Sequence, residues 1–170
     1  MRLRRGSLAD LDALEPLWVA VHHQHVRSMP QLAPYVDDTT TWAQRCVLYR
    51  ELLAKADTVL LLAELDGRLV GYGLAHVMPA EETWVADTWV TGPRVGEIES
   101  LGVLPEHRGR GIGSRLLEGL DAALREAGVA DVVLGVLPGN AGAIRLYERH
   151  GFAPTWLYLS RFDGRIGPEE

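Results

Sequence analysis

The chain has 170 residues, 47% of them hydrophobic and 24% charged, with a formal net charge of −6. That balance suits one globular domain with its own core, and it excludes a disordered tail, a fibre and a general nucleic-acid binder, whose affinity rests on Lys and Arg contacts to phosphate. A single cysteine, Cys46, excludes an intrachain disulfide and leads us to expect a reducing compartment. The opening MRLRRGSLADLD lacks an apolar signal core, and no stretch reaches the length of a membrane span. The expectation is a cytoplasmic protein with no nucleic-acid or membrane partner. A single domain is expected over residues 1–170, with a loose tail from about 161 to 170.

In chain order, MRLRR is a short strand candidate. Ser7, with Asp10 three residues later, starts a helical segment in which Leu11, Leu14, Trp18 and Val21 share a stripe. Pro16 lies inside that stripe and marks either a kink or the true first turn. SMPQLAPY is a loop. Thr41-x-x-Gln44 reads as a capping box for a second helix carrying Trp42, Cys46, Tyr49 and Leu53. TVLLLAEL and RLVGYGLAHV are strands joined by Asp66-Gly67, a strong hairpin signal. A loop carrying Trp84 and Trp89 leads to the strand GEIESLGVL.

Next comes LPEHRGRGIGSRLLEGL, a glycine–arginine turn running into a helix with Ile112, Leu116, Leu117, Leu120 and Leu124 on one side and Gly128 beyond its end. The strand ADVVLGVL, a short helix capped by Asn140 and closed by Gly151, and a last strand region in FAPTWLYLSRF complete the chain. Helices alternating with a mixed sheet predict an α/β (α+β) fold.

Glycine weakens a helix by about 1 kcal/mol relative to alanine, so three of them at a helix start need a reason. The first turn of a helix presents unpaired N–H groups and about half a positive charge, which together bind phosphate. Gly109, Gly111 and Gly113 give bare backbone there, and Arg108 and Arg110 add charge. The alternative is a flexible turn with solvated arginines. The run is neither a P-loop, since no Gly-Lys occurs, nor the dinucleotide pattern G-x-G-x-x-G.

Arg108-x-x-Gly111-x-Gly113 after EIESLGV resembles the acetyl-CoA signature of the GNAT N-acetyltransferase superfamily, R/Q-x-x-G-x-G/A. The block PGNAGAIRLYERHGF resembles that family's second signature, an Asn, a Tyr seven residues on, and a Gly-Phe after the helix. The order of elements also matches, so the resemblance covers nearly the whole chain. It implies a mixed sheet of six to seven strands, splayed between strands 4 and 5 and flanked by about four helices. It implies acetyl-CoA as cosubstrate with no metal, an amine acceptor that is a small molecule or a peptide amine, and a homodimer in many members.

The resemblance assigns the acetyl-CoA site to Leu101, Gly102, Val103, Arg108, Gly109, Arg110, Gly111, Ile112, Gly113, Ser114, Asn140, Ala143 and Tyr147. Backbone groups near Leu101 and Val103 would pair with pantetheine, the amides from Arg108 to Gly113 would hold the pyrophosphate, and Asn140 would bond the pantetheine end. Tyr147 would be the general acid for the leaving thiolate. Packing is its other reading, because Ile144, Tyr147 and Gly151 share a helix face. Glu97 and Glu99 are the candidate bases, expected on one strand face with Leu101 and Val103 beside them. Glu97, eleven residues before Arg108, matches a base glutamate of some members; in others a different residue or water serves. Attraction of a cationic acceptor is the other reading for both.

His22, His23 and His25 are read as acceptor-site or surface residues rather than as a metal cluster. Trp84, Trp89 and Tyr35 are candidates for the acceptor wall or for packing. The expected activity is acetyl transfer to a primary amine by direct attack in a ternary complex. An acyl-CoA-binding sensor without turnover is the alternative. The motifs name the donor and are silent on the acceptor.

Overall fold

The Asp66-Gly67 pair does what its chemistry demands: both residues take left-handed backbone, φ 50° and 78°, and fold β2 (Thr58–Leu65) back on β3 (Arg68–Pro79). In the computed structural model, which describes residues 1–164, this hairpin is the centre of a five-stranded sheet. β1 (Arg2–Arg5) pairs antiparallel with β2, and β4 (Arg94–Val103) antiparallel with β3. β5 (Asp131–Leu134) closes the order β1-β2-β3-β4-β5 and runs parallel to β4.

Alternation along the strands sends side chains to two cores. Leu60, Leu62, Tyr72 and Leu74 face α1 (Glu15–Ser28) and α2 (Asp38–Leu53). Leu61, Ala63, Ala75 and Ile98 face α3 (Ile112–Glu126), whose Leu116, Leu117, Leu120 and Leu124 form the expected stripe and are almost wholly buried. α4 (Ala141–Arg149) packs Leu146 and Tyr147 against that second core. The α/β class read from the sequence is the observed one.

Several local expectations hold and several shift. Ser7 and Asp10 form a capping box, but it starts a 3-10 stretch, Leu8–Leu14. The α-helix proper begins at Glu15, so Pro16 sits in its first turn, where a missing N–H costs nothing. Thr41 and Gln44 do not form a capping box. α2 begins a turn earlier, with Asp37 accepting from the Thr40 N–H at 2.7 Å. Thr41 is instead buried and accepts from the Trp18 indole N–H at 3.0 Å.

The last strand region, FAPTWLYLSRF, does not join the sheet, which therefore has five strands rather than six or seven among the described residues. Pro154 brings no N–H to a ladder, and Trp156, Leu157, Tyr158 and Leu159 are all exposed. The expected loose tail is described only as far as residue 164; residues 165–170 lie outside the described residues. No helix among the described residues is long and apolar enough to cross a membrane.

Candidate acyl-transfer site

Two irregularities in β4 shape the site. The first is the end of its pairing with β5. The register runs Val95↔Asp131 to Ile98↔Leu134 and stops, while β4 continues to Val103 along β3 alone. Backbone N–H and C=O groups of β4 beyond Ile98 thus face an open seam rather than a neighbouring strand. This is the splay between strands 4 and 5 that the resemblance implied.

The second is a bulge. Leu74 pairs with Ser100 and Ala75 with Ile98, leaving Glu99 opposite no residue. The extra residue breaks the alternation. Glu97 and Glu99 do share one face, that of α1 and α2, but Leu101 and Val103 turn to the α3 core instead of lying beside them. The expected four-residue face is therefore corrected to a pair of glutamates followed by Ser100 and, two residues on, Gly102, against Tyr49 and Tyr72.

The two glutamates have different surroundings. Glu99 is salt-bridged to Arg45 of α2, and the Arg45 guanidinium lies 3.9 Å over the Trp18 ring. Its charge is neutralised by a cation that is itself held in place. Glu97 faces His76 of β3, Oε2 to Nε2 at 3.4 Å, and keeps about a third of its side chain exposed. His76 is buried, and its Nδ1 has no partner among the described residues. His76, Glu97 and Glu99 bring ligand-type atoms within 4.8 Å of one another, yet Glu99 already holds a cation, Arg45.

The glycine–arginine turn has the geometry of an anion cradle. Gly109 and Gly111 take φ +74° and +77°, which side chains disfavour, and a Cβ on either would meet nothing within 4 Å. Gly111 is the N-cap of α3 and offers no side-chain acceptor, so the first amides of that helix keep their donors free. Ile112 is buried and anchors the turn, Gly113 is packed near Leu146, and Ser114 is half-buried.

The two arginines diverge. Arg110 is exposed. Arg108 is a clamp: it donates from Nε to the Val103 carbonyl at 3.0 Å, from Nη1 to Gln24 at 3.0 Å and from Nη2 to the Ala20 carbonyl at 3.5 Å. Partial burial lowers its pKa. It ties the end of β4 and the cradle to α1.

Across the seam, Asn140 caps α4, accepting the Ala143 N–H at 3.3 Å, and leaves its amide nitrogen for other use. Tyr147 packs edge-on against Phe152, and its phenol makes no hydrogen bond to the described residues. Burial pushes its pKa up to about 12, so it keeps its proton at neutral pH.

The histidines of α1 scatter. His22 is buried and meets the Val36 carbonyl at 2.9 Å, His23 pairs with Asp38, and His25 packs edge-on to Trp18. Burial, with help from His22 and Arg45, lowers the pKa of His25. Tyr35 donates to the Met29 carbonyl and packs on His22, apart from Trp84 and Trp89, which meet each other and Trp156.

Arg45, His76 and Trp156 were not legible as site residues. Each gains its position through a partner distant in sequence, and the one available signal was the unpaired status of a polar residue inside an apolar strand, His76.

A mixed sheet with an open seam beside a glycine-rich helix start places this chain among α/β folds with flanking helices. The comparisons agree. Residues 18–152 match the acetyltransferase (GNAT) family. An IAA acetyltransferase of Azospirillum brasilense is 30% identical over 85% of this chain and 83% of its own length. A mycothiol acetyltransferase of Cellulomonas flavigena is 40% identical over 56% of this chain, which spans only 26% of that protein's length. A predicted acetyltransferase of Clostridium acetobutylicum, solved with acetyl-CoA, superposes with a TM-score of 0.69 over 94% of this chain and 95% of its own, at 20% identity. The chain belongs to the GNAT acetyltransferase family.

Proposed function

We propose that the protein is an acetyl-CoA-dependent N-acetyltransferase acting on a primary amine by direct attack in a ternary complex. The observation that carries this reading is the open β4–β5 seam lying beside an α3 start whose amides have no side-chain cap. A thioester cosubstrate supplies the acetyl group; the fold neighbour solved with acetyl-CoA supports that choice.

The residues present fit such a donor. Main-chain groups of Leu101, Gly102 and Val103 pair with an extended amide-bearing arm as an added strand would. The amides from Gly109 to Ser114 and the Arg110 guanidinium receive a pyrophosphate. Arg108 acts by holding the cradle rather than by touching phosphate. Asn140, with its oxygen spent on the Ala143 amide, offers N–H donors to the arm.

Glu97 takes the proton of the attacking amine, directly or through water. The His76 ring faces one Glu97 oxygen at 3.4 Å, and the other is left for the acceptor. Glu99 is not the base in this reading, because Arg45 occupies it. A backbone N–H near Val103 polarises the thioester carbonyl. The Tyr147 phenol, protonated at neutral pH, gives its proton to the departing sulfur. Binding both partners in one site supplies much of the rate by proximity.

Mixing the protein with acetyl-CoA and a panel of amines, and following free thiol, tests the reading. Amine-dependent thiol release supports it. Tight CoA binding with no release for any amine would instead identify an acyl-CoA sensor.

A further inference from the structure

Where β4 and β5 begin, under the loop that carries Trp84 and Trp89, lies a cavity of about 310 Å³. That is near the lower bound of small-molecule sites, about 300 Å³. Val95 forms part of it, two residues before Glu97 on β4 and so about 7 Å along the strand. Val133, the register partner of Glu97, forms another part. Ile98 and Leu134 turn to the α3 core, so Val95, Glu97 and Val133 share the opposite face, while Val132 borders the cavity from the α3 side of the β5 edge. The pocket and the candidate base are thus neighbours on one surface.

Trp84 and Trp89 wall this cavity, edge to face at 5.9 Å. Trp156 packs on both, at 5.6 and 6.2 Å. The three indoles remain 38%, 39% and 55% exposed. A cluster of half-exposed tryptophans is costly to hydrate and marks a binding surface. The charged residue in the lining is Asp131, and its carboxylate is already committed to the Gly92 N–H at 2.7 Å. The pocket therefore offers apolar contact, and Glu97, with about a third of its side chain exposed, stands two residues along β4 from its Val95 wall.

We infer that the acceptor is a primary amine carrying an aromatic ring on a short linker, with its nitrogen at Glu97 and its ring between Trp84, Trp89, Val95 and Val133. This rests on the reading of Glu97 as the acceptor-side base. The chemistry is shared by free arylalkylamines and by peptides that begin with an aromatic residue.

Binding to the full chain in the presence of CoA, followed by isothermal titration, tests the inference with two matched pairs: phenethylamine against ethylamine, and Phe-Ala-Ala against Gly-Ala-Ala. The benzyl-bearing member is expected to bind at least tenfold tighter in at least one pair, and the responding pair separates free amine from peptide N-terminus. Trp89→Ala, at a half-exposed position, should reduce that preference to below threefold. Equal affinities in both pairs, or a preference that survives Trp89→Ala, would overturn the inference. Selective binding without acetyl transfer would support the pocket and remove the transfer reading. Acetylation of the benzyl and control amines at equal kcat/KM would do the reverse.

Discussion

Arg45 is salt-bridged to Glu99 and stacked on Trp18, whereas Glu97, on the same face two residues earlier, faces the buried His76 and carries no arginine partner among the described residues. The two glutamates should separate on substitution. Glu97→Gln is expected to lower kcat by about a hundredfold or more, the range of general-base catalysis, with little change in stability. Glu99→Gln should keep kcat within about threefold and cost about 1–3 kcal/mol, since it discharges a mostly buried pair. Steady-state kinetics and urea unfolding of both variants check this. The reverse pattern would make Glu99 the base.

Tyr147→Phe should lower kcat by about a hundredfold while the KM for acetyl-CoA stays within about threefold, because the phenol acts on the leaving sulfur rather than on binding. Since burial holds this phenol protonated up to about pH 12, the basic limb of the wild-type rate profile below pH 10 should belong to another group. An unchanged kcat would leave Tyr147 as packing.

Stability should fall in alkali. Tyr72 donates to Tyr49 at 2.7 Å, and Tyr49 to Ser100 at 2.6 Å, beneath the bulge. Burial pushes Tyr72 up to about 12 and Tyr49 well above its ordinary value. With folded values above the unfolded value of about 10, the folded state binds more protons in that window. The contribution is complete below pH about 10 and is lost as pH rises toward 12. Urea midpoints should therefore be level between pH 8 and 9.5 and drop above 10; a flat midpoint to pH 11 would argue against the burial of this network.

Arg108→Ala should raise the KM for acetyl-CoA by about tenfold and cost about 1–3 kcal/mol, because three acceptors lose a charged donor and the cradle loses its tie to α1. Arg108→Lys should not restore binding, since one ammonium cannot span acceptors on β4 and α1 together. Full rescue by lysine would show that charge alone matters there.

What was legible in the sequence has a local cause. A left-handed pair makes the Asp66-Gly67 turn, a 3.6-residue apolar period makes α3, and glycines without side chains open its N-terminus. A few adjacent residues set each of these, so the α/β class could be read from the sequence, and the resemblance could name a candidate donor site. The tertiary structure decided the rest. It tied Arg108 to Gln24, 84 positions away. It paired Glu99 with Arg45, 54 positions away. It also broke the strand alternation at one bulged residue and left FAPTWLYLSRF outside the sheet. Composition and period carry no record of which distant side chain will take up a charge, and so the sequence by itself determined the glycine-rich helix start and the strands beside it, while packing determined which of the two glutamates carries an arginine partner.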